Sequence, residues 1–535
     1  MEQGKGKTIY GIDLGTTFSA IALVNSLGEP VCVPLWEDGN TTKLTMPSAV
    51  LFVPGGEVYV GEEAIDNSWK PDSLLVEFAK RNMGLDSRPW HYEGWDYYPE
   101  DISSLILRKI ASQVSAGRHF DPVREVVVSH PQYFWANQKD ATREAVELAG
   151  LSLKATITEP NAAAIAYGVI NPSLSGEKVV LVFDLGGGTF DVTLMKLGGR
   201  NKFHMIDSDG DSQLGGMNWD SEIVNLAKEK FRQSYGVFDD VATEEQKIDL
   251  RQNAEKTKIK FSKEGQEQHR FFVEADGQRQ MFDITREQFV SMGRHLVARC
   301  IDRCERLFRK SGYDWQKIDE VLMVGSSTKM PTVQERVTQL FGRSPLISEN
   351  PKLMVSKGAA IWADWVSKNL IDARWGDTAE GTVAGLQIAD KPEVSGCTAH
   401  GLGVVAQRHG RRIVKGLIPQ STSTPHEVKE SFVTDTVGAT TVVVPVYEGE
   451  SEDPEDCYKI GDVRLEGLPV RDEHVPITVK FRIDIAGCLD VSAIDVLTGK
   501  ETAAHFDKDF SRDAIENGRM DFEARRKHLE ALTVM

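Results

Sequence analysis

The sequence predicts an α/β domain made of two related lobes, followed by an all-β sandwich domain and a short C-terminal helix. Three observations support this fold class: a repeated hairpin motif, a repeated strand–helix unit, and a change to strand-like segments near residue 396. A chain of 535 residues has room for about three or four domains. We expect the α/β domain at 1–370, a connector at 371–395, the sandwich at 396–510 and a helical tail at 511–535.

The composition is typical of a globular protein and argues against binding to polyanions. Hydrophobic residues make up 41% of the chain, and the formal net charge is −18. Such an acidic protein is a poor partner for nucleic acid or anionic membranes. Six cysteines are too few for a disulfide scaffold, and no apolar run reaches the roughly 18 residues of a membrane span. We therefore expect a cytoplasmic protein that binds neither nucleic acid nor membrane.

The first repeated unit is a pair of apolar strands joined by a polar turn that contains glycine. The motif Asp-Leu-Gly stands at 13–15 within the apolar stretch 9–24, and again at 184–186 within the stretch 179–197. Thr-Phe follows the motif in both copies. Two apolar runs around a glycine-bearing turn predict a β-hairpin. The chain therefore carries two matching hairpins, which indicates an internal duplication.

The second repeated unit is a strand followed by a helix and then by an alanine-rich helix. The copies comprise strands at 125–129 and 320–324, helices at 137–148 and 332–340, and alanine-rich helices at 161–167 and 358–364. Mixed strands and helices in this order predict layered sheets covered by helices. Between the copies, residues 198–320 add predicted helices at 219–235, 244–261 and 286–310 and a hairpin at 270–284 around Asp276-Gly277.

The C-terminal third has a different character. Residues 371–395 show little periodicity and favour an irregular connector. Strand-like segments follow at 440–447, 477–485 and 488–496, and their regular spacing predicts a sandwich. Residues 513–532 have helical composition.

The two hairpin tips indicate a phosphate site. Free backbone N–H groups, glycines without a Cβ and threonine hydroxyls can surround phosphate oxygens. Asp13 and Asp184 would repel those oxygens unless a cation lay between them. A hydrated Mg²⁺, which few carboxylates hold, meets that requirement. A tight turn in which Asp acts as a local cap is the alternative for either copy alone.

Five motifs in order resemble the 70-kDa heat-shock chaperones of DnaK type, and the resemblance covers nearly all of residues 1–366. The motifs are DLGTTF at 13–18, EPNAAAIAYG at 159–168, DLGGGTFD at 184–191, LGGMNWD at 214–220 and VLMVGSSTKMPTVQ at 321–334. Residues 477–500 resemble the end of that family's peptide-binding sandwich. The resemblance implies an actin-like ATPase domain that binds ATP or ADP and Mg²⁺ in the cleft between the lobes. K⁺ is a further candidate cation for this cleft.

The resemblance also implies roles for individual residues. Lys80 would stabilise the transferring phosphoryl group, Glu159 would orient water, and Asp184 and Thr189 would complete the catalytic set. Asp13, Asp184 and Asp191 would lie beside the metal, and Ile259 would lie against the adenine. The implied nucleotide-binding residues are Asp13, Gly15, Thr16, Thr17, Gly186, Gly187, Gly188, Thr189, Asp191, Gly215, Gly216, Glu255, Lys258, Ile259, Ser262, Gly325, Ser326 and Lys329.

By the same resemblance, the sandwich would hold extended or unfolded polypeptide segments. The candidate pocket residues are Leu402, Val404, Phe432, Val442 and Val444. The alternative for each is an ordinary alternating core position. The family's partners are unfolded clients, J-domain co-chaperones and nucleotide-exchange factors, and Pro131 matches its switch proline.

The sequence departs from the family at several points. Lys139 stands where the family has an arginine that couples the domains, Lys329 replaces an arginine beside the adenine, and Lys352 replaces an acidic residue after Asn350-Pro351. Residues 371–395 lack the family's leucine-rich linker, and the sequence after the sandwich is too short for a long helical lid. A missing lid predicts weak, fast peptide exchange, because a lid slows dissociation.

Two other functions remain open at this point. A nucleotide-dependent switch or scaffold could use residues 396–535 to bind one dedicated partner, as Lys139 and the atypical linker favour. A sugar-kinase-like phosphotransferase could use the same ATPase architecture, although the β-rich domain and the ordered motifs argue against it. The leading hypothesis is an ATP-dependent chaperone that hydrolyses ATP.

Overall fold

The computed structural model describes residues 8–38, 41–84, 90–117, 120–171, 176–198, 202–263, 265–348, 350–371, 392–485, 487–505 and 522–535. Within them the chain forms two α/β lobes, a β-sandwich, and a C-terminal helix and strand that return to the first lobe. This agrees with the predicted succession of a mixed α/β part, a β-rich part and a short C-terminal helix. No helix in these ranges combines the length and apolar character of a membrane span.

The first lobe is built around a mixed sheet with the strand order β13-β12-β1-β2-β3, and β6 pairs with β2. Its strands are β1 Ile9–Asp13, β2 Phe18–Val24, β3 Pro30–Cys32, β4 Trp36–Asp38, β5 Thr41–Lys43, β6 Met46–Pro47, β7 Ala49–Val53, β8 Glu57–Val60, β9 Leu74–Glu77, β10 Trp90–Tyr92, β11 Trp95–Tyr97, β12 Glu125–His130 and β13 Ser152–Thr158. Its helices are α1 Glu62–Asp66, α2 Pro99–Ala116, α3 Ala136–Leu148 and α4 Glu159–Ile170, with a 3-10 turn at Ala79–Asn82.

The second lobe repeats this plan in a sheet with the order β20-β19-β14-β15-β16. Its strands are β14 Glu177–Leu185, β15 Phe190–Gly198, β16 Lys202–Asp211, β17 Gln268–Ala275, β18 Gln278–Thr285, β19 Glu320–Val324 and β20 Leu346–Ile347. Its helices are α5 Gly216–Tyr235, α6 Phe238–Val241, α7 Glu244–Phe261, α8 Arg286–Ser311, α9 Pro331–Phe341 and α10 Met354–Ser367, with 3-10 turns at Trp315–Lys317, Ser326–Lys329 and Pro351–Leu353.

Both repeated units have the predicted geometry. β1 and β2 form an antiparallel hairpin, and so do β14 and β15. β12 runs parallel to β1, and β19 runs parallel to β14, so the strand that leads into the repeated helix occupies the same place in each lobe. Because the carboxyl ends of β1 and β14 point toward the space between the lobes, their turns reach the same cleft.

The alanine-rich helices α4 and α10 pack against each other between the two sheets. Small residues permit this close contact. A Cβ at Gly358 would lie 1.8 Å from the carbonyl oxygen of Ala162, and a Cβ at Gly11 would lie 2.1 Å from the backbone nitrogen of Ala360. Such distances are far below van der Waals contact, so these glycines set how closely the helices approach each other and β1.

The β domain consists of two sheets, in the orders β23-β22-β26-β27 and β25-β28-β29-β30. Its strands are β21 Glu393–Cys397, β22 Leu402–Arg408, β23 Arg411–Ile418, β24 Ser423–Thr424, β25 His426–Val433, β26 Thr441–Glu448, β27 Tyr458–Glu466, β28 Pro476–Ile483, β29 Leu489–Asp495 and β30 Glu501–His505, with a 3-10 turn at Pro454–Asp456. Alternating apolar residues of both sheets, including Val479 and Phe481, form the core between them. The predicted sandwich is confirmed.

The β domain is joined to the second lobe through a shared sheet. β21 runs parallel to β16 of that lobe and antiparallel to β24. Residues 393–395, which the composition assigns to the irregular connector, therefore form part of a strand. The preceding part of the predicted connector, 372–391, lies outside the described residues.

The C-terminal segment packs on the first lobe. Helix α11, Phe522–Ala531, lies against α2, and strand β31, Thr533–Val534, pairs in parallel with β8 to extend the sheet β31-β8-β7-β9. Leu529 and Leu532 enter the first lobe's hydrophobic core. The described part of the predicted tail helix is thus helical, and residues 513–521 lie outside the described ranges.

Candidate functional site

The two hairpin tips contact each other at the base of the cleft. A Cβ at Gly187, in the second tip, would lie 1.7 Å from Thr17 Oγ1 in the first. A Cβ at Gly15 would lie 2.1 Å from the carbonyl oxygen of Phe18, within the first tip itself. A side chain at Gly187 would push the tips apart, and one at Gly15 would distort the first tip, so glycine is required at both positions.

The cleft between the lobes collects most of the predicted phosphate and catalytic residues. Its lining includes Asp13, Gly15, Thr16, Thr17, Lys80, Glu159, Asp184, Gly186, Gly187, Thr189, Gly325 and Ser326. The start of α5 supports the second tip from behind: Gly216 N donates to Gly186 O at 3.0 Å, and Met217 N donates to Gly187 O at 2.9 Å. Gly215 and Gly216 therefore pack behind the second tip, and Gly188 is likewise absent from the residues that line the cleft.

A buried ion pair stands beside the tips. Lys80, from the 3-10 turn Ala79–Asn82, donates from Nζ to Glu159 Oε1 at 2.6 Å. Glu159 is the first residue of α4, and Asp13 and Asp184 lie near the ends of β1 and β14. Ser129 Oγ donates to Asp13 Oδ1 at 3.1 Å. The ammonium of Lys80 thus faces several carboxylates in a partly enclosed space.

The electrostatics of these groups follow from their crowding. Burial, reinforced by the negative charge of Glu159, raises the pKa of Asp13 to about 7 and that of Asp191 to about 8. The same causes raise the pKa of Asp184. Burial would lower the pKa of Lys80, but the carboxylates of Glu159 and Asp13 outweigh it and hold that pKa above its usual value. The cleft therefore has an excess of carboxylates that a further cation would relieve.

The site fits a nucleotide phosphate together with a hydrated divalent cation. Thr17 Oγ1 is buried without a hydrogen-bond partner, so the tip offers an unused donor to a phosphate oxygen. Within the described residues, no three His, Cys, Asp or Glu side chains converge closely enough to bind a metal directly. Asp13 and Asp184 would therefore hold a cation that keeps most of its waters, as Mg²⁺ does.

The residues predicted for the nucleoside side are only partly brought together. Lys258 Nζ donates to Asp220 Oδ2 at 2.5 Å and to Gly216 O at 3.2 Å, and Ser262 Oγ donates to Lys258 O at 2.9 Å. Glu255 is half-buried on the same helix, α7. Ile259 is 45% exposed. Lys329 is also exposed. None of these five residues, Glu255, Lys258, Ile259, Ser262 and Lys329, is among those that line the cleft in the described part of the chain.

Sequence reasoning did not assign several residues that line the cleft. They are Phe18, Val324, Pro351, Lys352 and Val355. Phe18 and Val324 are continuous with the two repeated motifs, which could have identified them. Pro351, Lys352 and Val355 come from the turn before α10 and from its first residues, and no local pattern places that turn beside the tips. In the sequence, Lys352 is distinguished only by its departure from a family motif, in which an acidic residue follows Asn-Pro.

The peptide-pocket candidates lie within the sandwich core. Leu402, Val404 and Val444 are buried between the two sheets, and Phe432 and Val442 are half-buried against the same cluster. Their side chains point toward the interior, as alternating core positions also do.

The β domain contacts the first lobe around helix α3. Lys139 Nζ donates to Gly487 O at 3.2 Å, and Gln132 Nε2 donates to Cys397 O at 2.8 Å. The rings of Trp135 and His400 stack with centroids 3.6 Å apart. Lys139, which stands where the family has its coupling arginine, therefore lies at the interface between the lobe and the β domain. Pro131 lies at the start of the segment that leads into α3, where its carbonyl oxygen accepts a hydrogen bond from His130 Nδ1 at 2.9 Å.

Comparisons with known proteins agree with this arrangement. A sequence profile of the Hsp70 protein family matches residues 88–531. The "Chaperone protein DnaK" of Methanothermobacter thermautotrophicus is 33% identical over 505 residues, which cover 93% of this chain and 80% of that protein. The similarity therefore includes both lobes and the β domain.

Proposed function

The chain belongs to the Hsp70 family, and we infer from that premise that it is an ATP-dependent molecular chaperone. Its enzymatic activity is the hydrolysis of ATP to ADP and phosphate. The observation that supports this inference best is the buried Lys80–Glu159 ion pair beside two facing glycine tips. An actin-like arrangement of the lobes is consistent with the duplicated sheets on either side of the cleft.

Each group in the cleft then has a defined task. Backbone N–H groups of the two tips and the hydroxyl of Thr17 would bind the phosphates. The ammonium of Lys80 would stabilise negative charge on the transferring phosphoryl group, and the carboxylate of Glu159 would orient the attacking water. Asp13 and Asp184 would hold a hydrated Mg²⁺, which when bound neutralises phosphate charge. Asp191, the strand partner of Asp184 outside the cleft lining, would add its negative charge to this site.

The β domain would bind extended segments of unfolded proteins. Backbone pairing combined with side-chain pockets is the usual mode by which a sheet domain recognises an extended peptide. The state of the cleft can reach that domain by two routes, through α3 with Lys139 and through strand β21 on the sheet of the second lobe. Coupling requires that these contacts differ between nucleotide states.

Two measurements test this function. The first is ATP turnover of the full chain with and without a reduced, unfolded client protein, for which we expect client-dependent stimulation. The second compares Lys80→Met with Lys527→Met, a control at an exposed position of α11. Lys80→Met should lower turnover by about 100-fold or more while ATP still binds, and the control should leave turnover unchanged. Undiminished turnover in Lys80→Met would refute the assigned role of Lys80.

The burial of Leu402, Val404 and Val444 favours a second candidate for the β domain. If these side chains serve only the core, the domain would bind one folded partner through its surface, and ATP would control that interaction. Fluorescent apolar peptides discriminate between the candidates. Saturable peptide binding that weakens when ATP is added supports the chaperone, whereas no binding to any of a set of apolar peptides supports the dedicated partner.

A further inference from the structure

One lysine in the cleft has no carboxylate partner among the residues that the structure describes. Lys352 lies in the 3-10 turn Pro351–Leu353, directly before α10, and lines the cleft together with both tips. Its Nζ lies 3.6 Å from the ring centroid of Phe18. A cation over an aromatic face is held in place by that ring. The ring, however, does not neutralise its charge.

The other two buried or half-buried lysines of the site are paired. Lys80 contacts Glu159 at 2.6 Å, and Lys258 contacts Asp220 at 2.5 Å. For Lys352, burial lowers the pKa to about 8; Glu255 opposes this shift, whereas Lys329 and Lys258 add to it. Keeping an ammonium charged when it is half-buried beside two other cations costs free energy, unless an anion approaches it.

The position of Lys352 shows which part of a nucleotide it would meet. Phe18 directly follows Thr17 of the first tip, so the ammonium lies next to the phosphate side of the cleft. Its charged neighbours, Glu255, Lys258 and Lys329, belong to the predicted nucleoside side. Lys352 therefore stands between the two sides, where the phosphates nearest the ribose would lie in a nucleotide that reached both.

We propose that Lys352 is a phosphate-binding residue of this cleft, whose ammonium donates to the nucleotide phosphates nearest the ribose. This inference rests on the proposed function, because it assumes that the cleft binds ATP and ADP. A charge-assisted hydrogen bond to phosphate compensates the partial desolvation of the ammonium. It also supplies positive charge to a cleft whose other charged side chains are mainly carboxylates.

The contribution of Lys352 to binding affinity should depend on whether the ligand carries phosphates. ATP and ADP share the phosphates nearest the ribose, so both should lose affinity to a similar degree when Lys352 is neutralised. Adenosine has no phosphate and should bind with unchanged affinity. A residue that only supported the fold of the cleft would affect all three ligands alike.

Isothermal titration of the full chain with ATP, ADP and adenosine in the presence of Mg²⁺ tests this. Lys352→Met keeps the length of the side chain and removes its charge, and we expect about 10-fold or greater loss of affinity for ATP and ADP. Lys352→Arg should retain most of the affinity, because it keeps a cation at the site. Lys256→Met, at an exposed position of α7, is the control and should leave the affinity for all three ligands nearly unchanged.

The outcomes separate this inference from the function on which it rests. ATP binding by the wild-type chain that Lys352→Met leaves unchanged would overturn the role of Lys352 alone. An equal loss of affinity for ATP and adenosine would likewise overturn it in favour of a structural role. Absence of ATP binding by the wild-type chain would overturn the proposed function and the present inference together.

Discussion

Arg525 donates two hydrogen bonds to Asp101 Oδ1, from Nε at 3.0 Å and from Nη2 at 2.6 Å, although 424 positions separate the two residues. The same guanidinium contacts Glu100 at 3.3 Å and also bonds to Glu144. Arg525, Glu100 and Asp101 are almost completely buried. This cluster fixes α11 to the first lobe, and β31 continues the attachment by pairing with β8.

We expect Arg525→Met to destabilise the first lobe strongly. The substitution preserves much of the side-chain volume but leaves Glu100 and Asp101 buried without their cation, which typically costs about 3–5 kcal/mol. The midpoint of chemical unfolding, monitored by tryptophan fluorescence, measures this effect. Arg526→Met is the control, because Arg526 is exposed and pairs with Glu530 on the same helix. A loss of stability no larger than that of the control would show that the cluster contributes little.

A second prediction concerns pH. His130 is buried, and burial, with the charges of Lys139 and Arg143 in support, lowers its pKa to about 3. In the unfolded chain the imidazole of His130 takes up a proton near pH 6.5, whereas in the folded chain it does so only at a much lower pH. The contribution of His130 to the free energy of unfolding is therefore fully present above pH 6.5. It declines as the pH falls, by about 2 kcal/mol between pH 7 and pH 5.

His130→Gln should remove this part of the pH dependence. We expect the loss of stability between pH 7 and pH 5 to be smaller in His130→Gln than in the wild type, although the variant has lower stability at neutral pH. His426→Gln, at an exposed position of the β domain, should leave the dependence unchanged. Parallel stability curves for the wild type and His130→Gln would contradict the argument.

The third prediction addresses the packing between the lobes. Gly11→Ala places a methyl group 2.1 Å from the backbone nitrogen of Ala360, so α10 must move away from β1. Overpacking of this kind usually costs about 1–3 kcal/mol, and more is possible when the obstacle is backbone. Thermal unfolding measures the change. Gly416→Ala is the matched control, because a Cβ there meets no atom within 4 Å. Equal melting temperatures of the two variants would argue against this packing role for Gly11.

The fourth prediction tests communication between the cleft and the β domain. Trp135, at the start of α3, stacks on His400 of the β domain. Trp135→Ala should remove this contact and reduce client-stimulated ATP turnover, while basal turnover stays the same because Trp135 does not line the cleft. Trp69→Ala, at a position 62% exposed, is the control. Unreduced client stimulation in Trp135→Ala would show that coupling does not depend on this stack.

Much of the fold could be predicted from local patterns. Alternation and apolar runs correctly predicted the hairpins β1–β2 and β14–β15, and helical periodicity predicted α5, α7 and α8 within a few residues. The short strands between residues 36 and 97 could not be predicted, because strands of two to five residues carry too little alternation. The pairing of β21 with β16 and of β31 with β8 is non-local, so no sequence window contains both partners.

The site shows the same division. The duplication identified the tips that form the base of the cleft, because each copy carries its own glycines and threonine. Lys80 came from the family resemblance, since a lone lysine in a 3-10 turn has no signal of its own. Lys352 reaches the cleft through the turn before α10, and its proximity to Phe18 depends on how the two lobes pack.

The attachment of β31 to β8 also has a consequence for biosynthesis. Residues 57 and 58 are made early, whereas their partners at 533 and 534 are made only after both lobes and the β domain, together with Arg525 and Leu529. During translation the first lobe therefore keeps an unpaired strand edge and an exposed apolar surface, both of which promote aggregation. The nascent chain would keep these surfaces exposed until residues 525–534 leave the ribosome and pack on the first lobe.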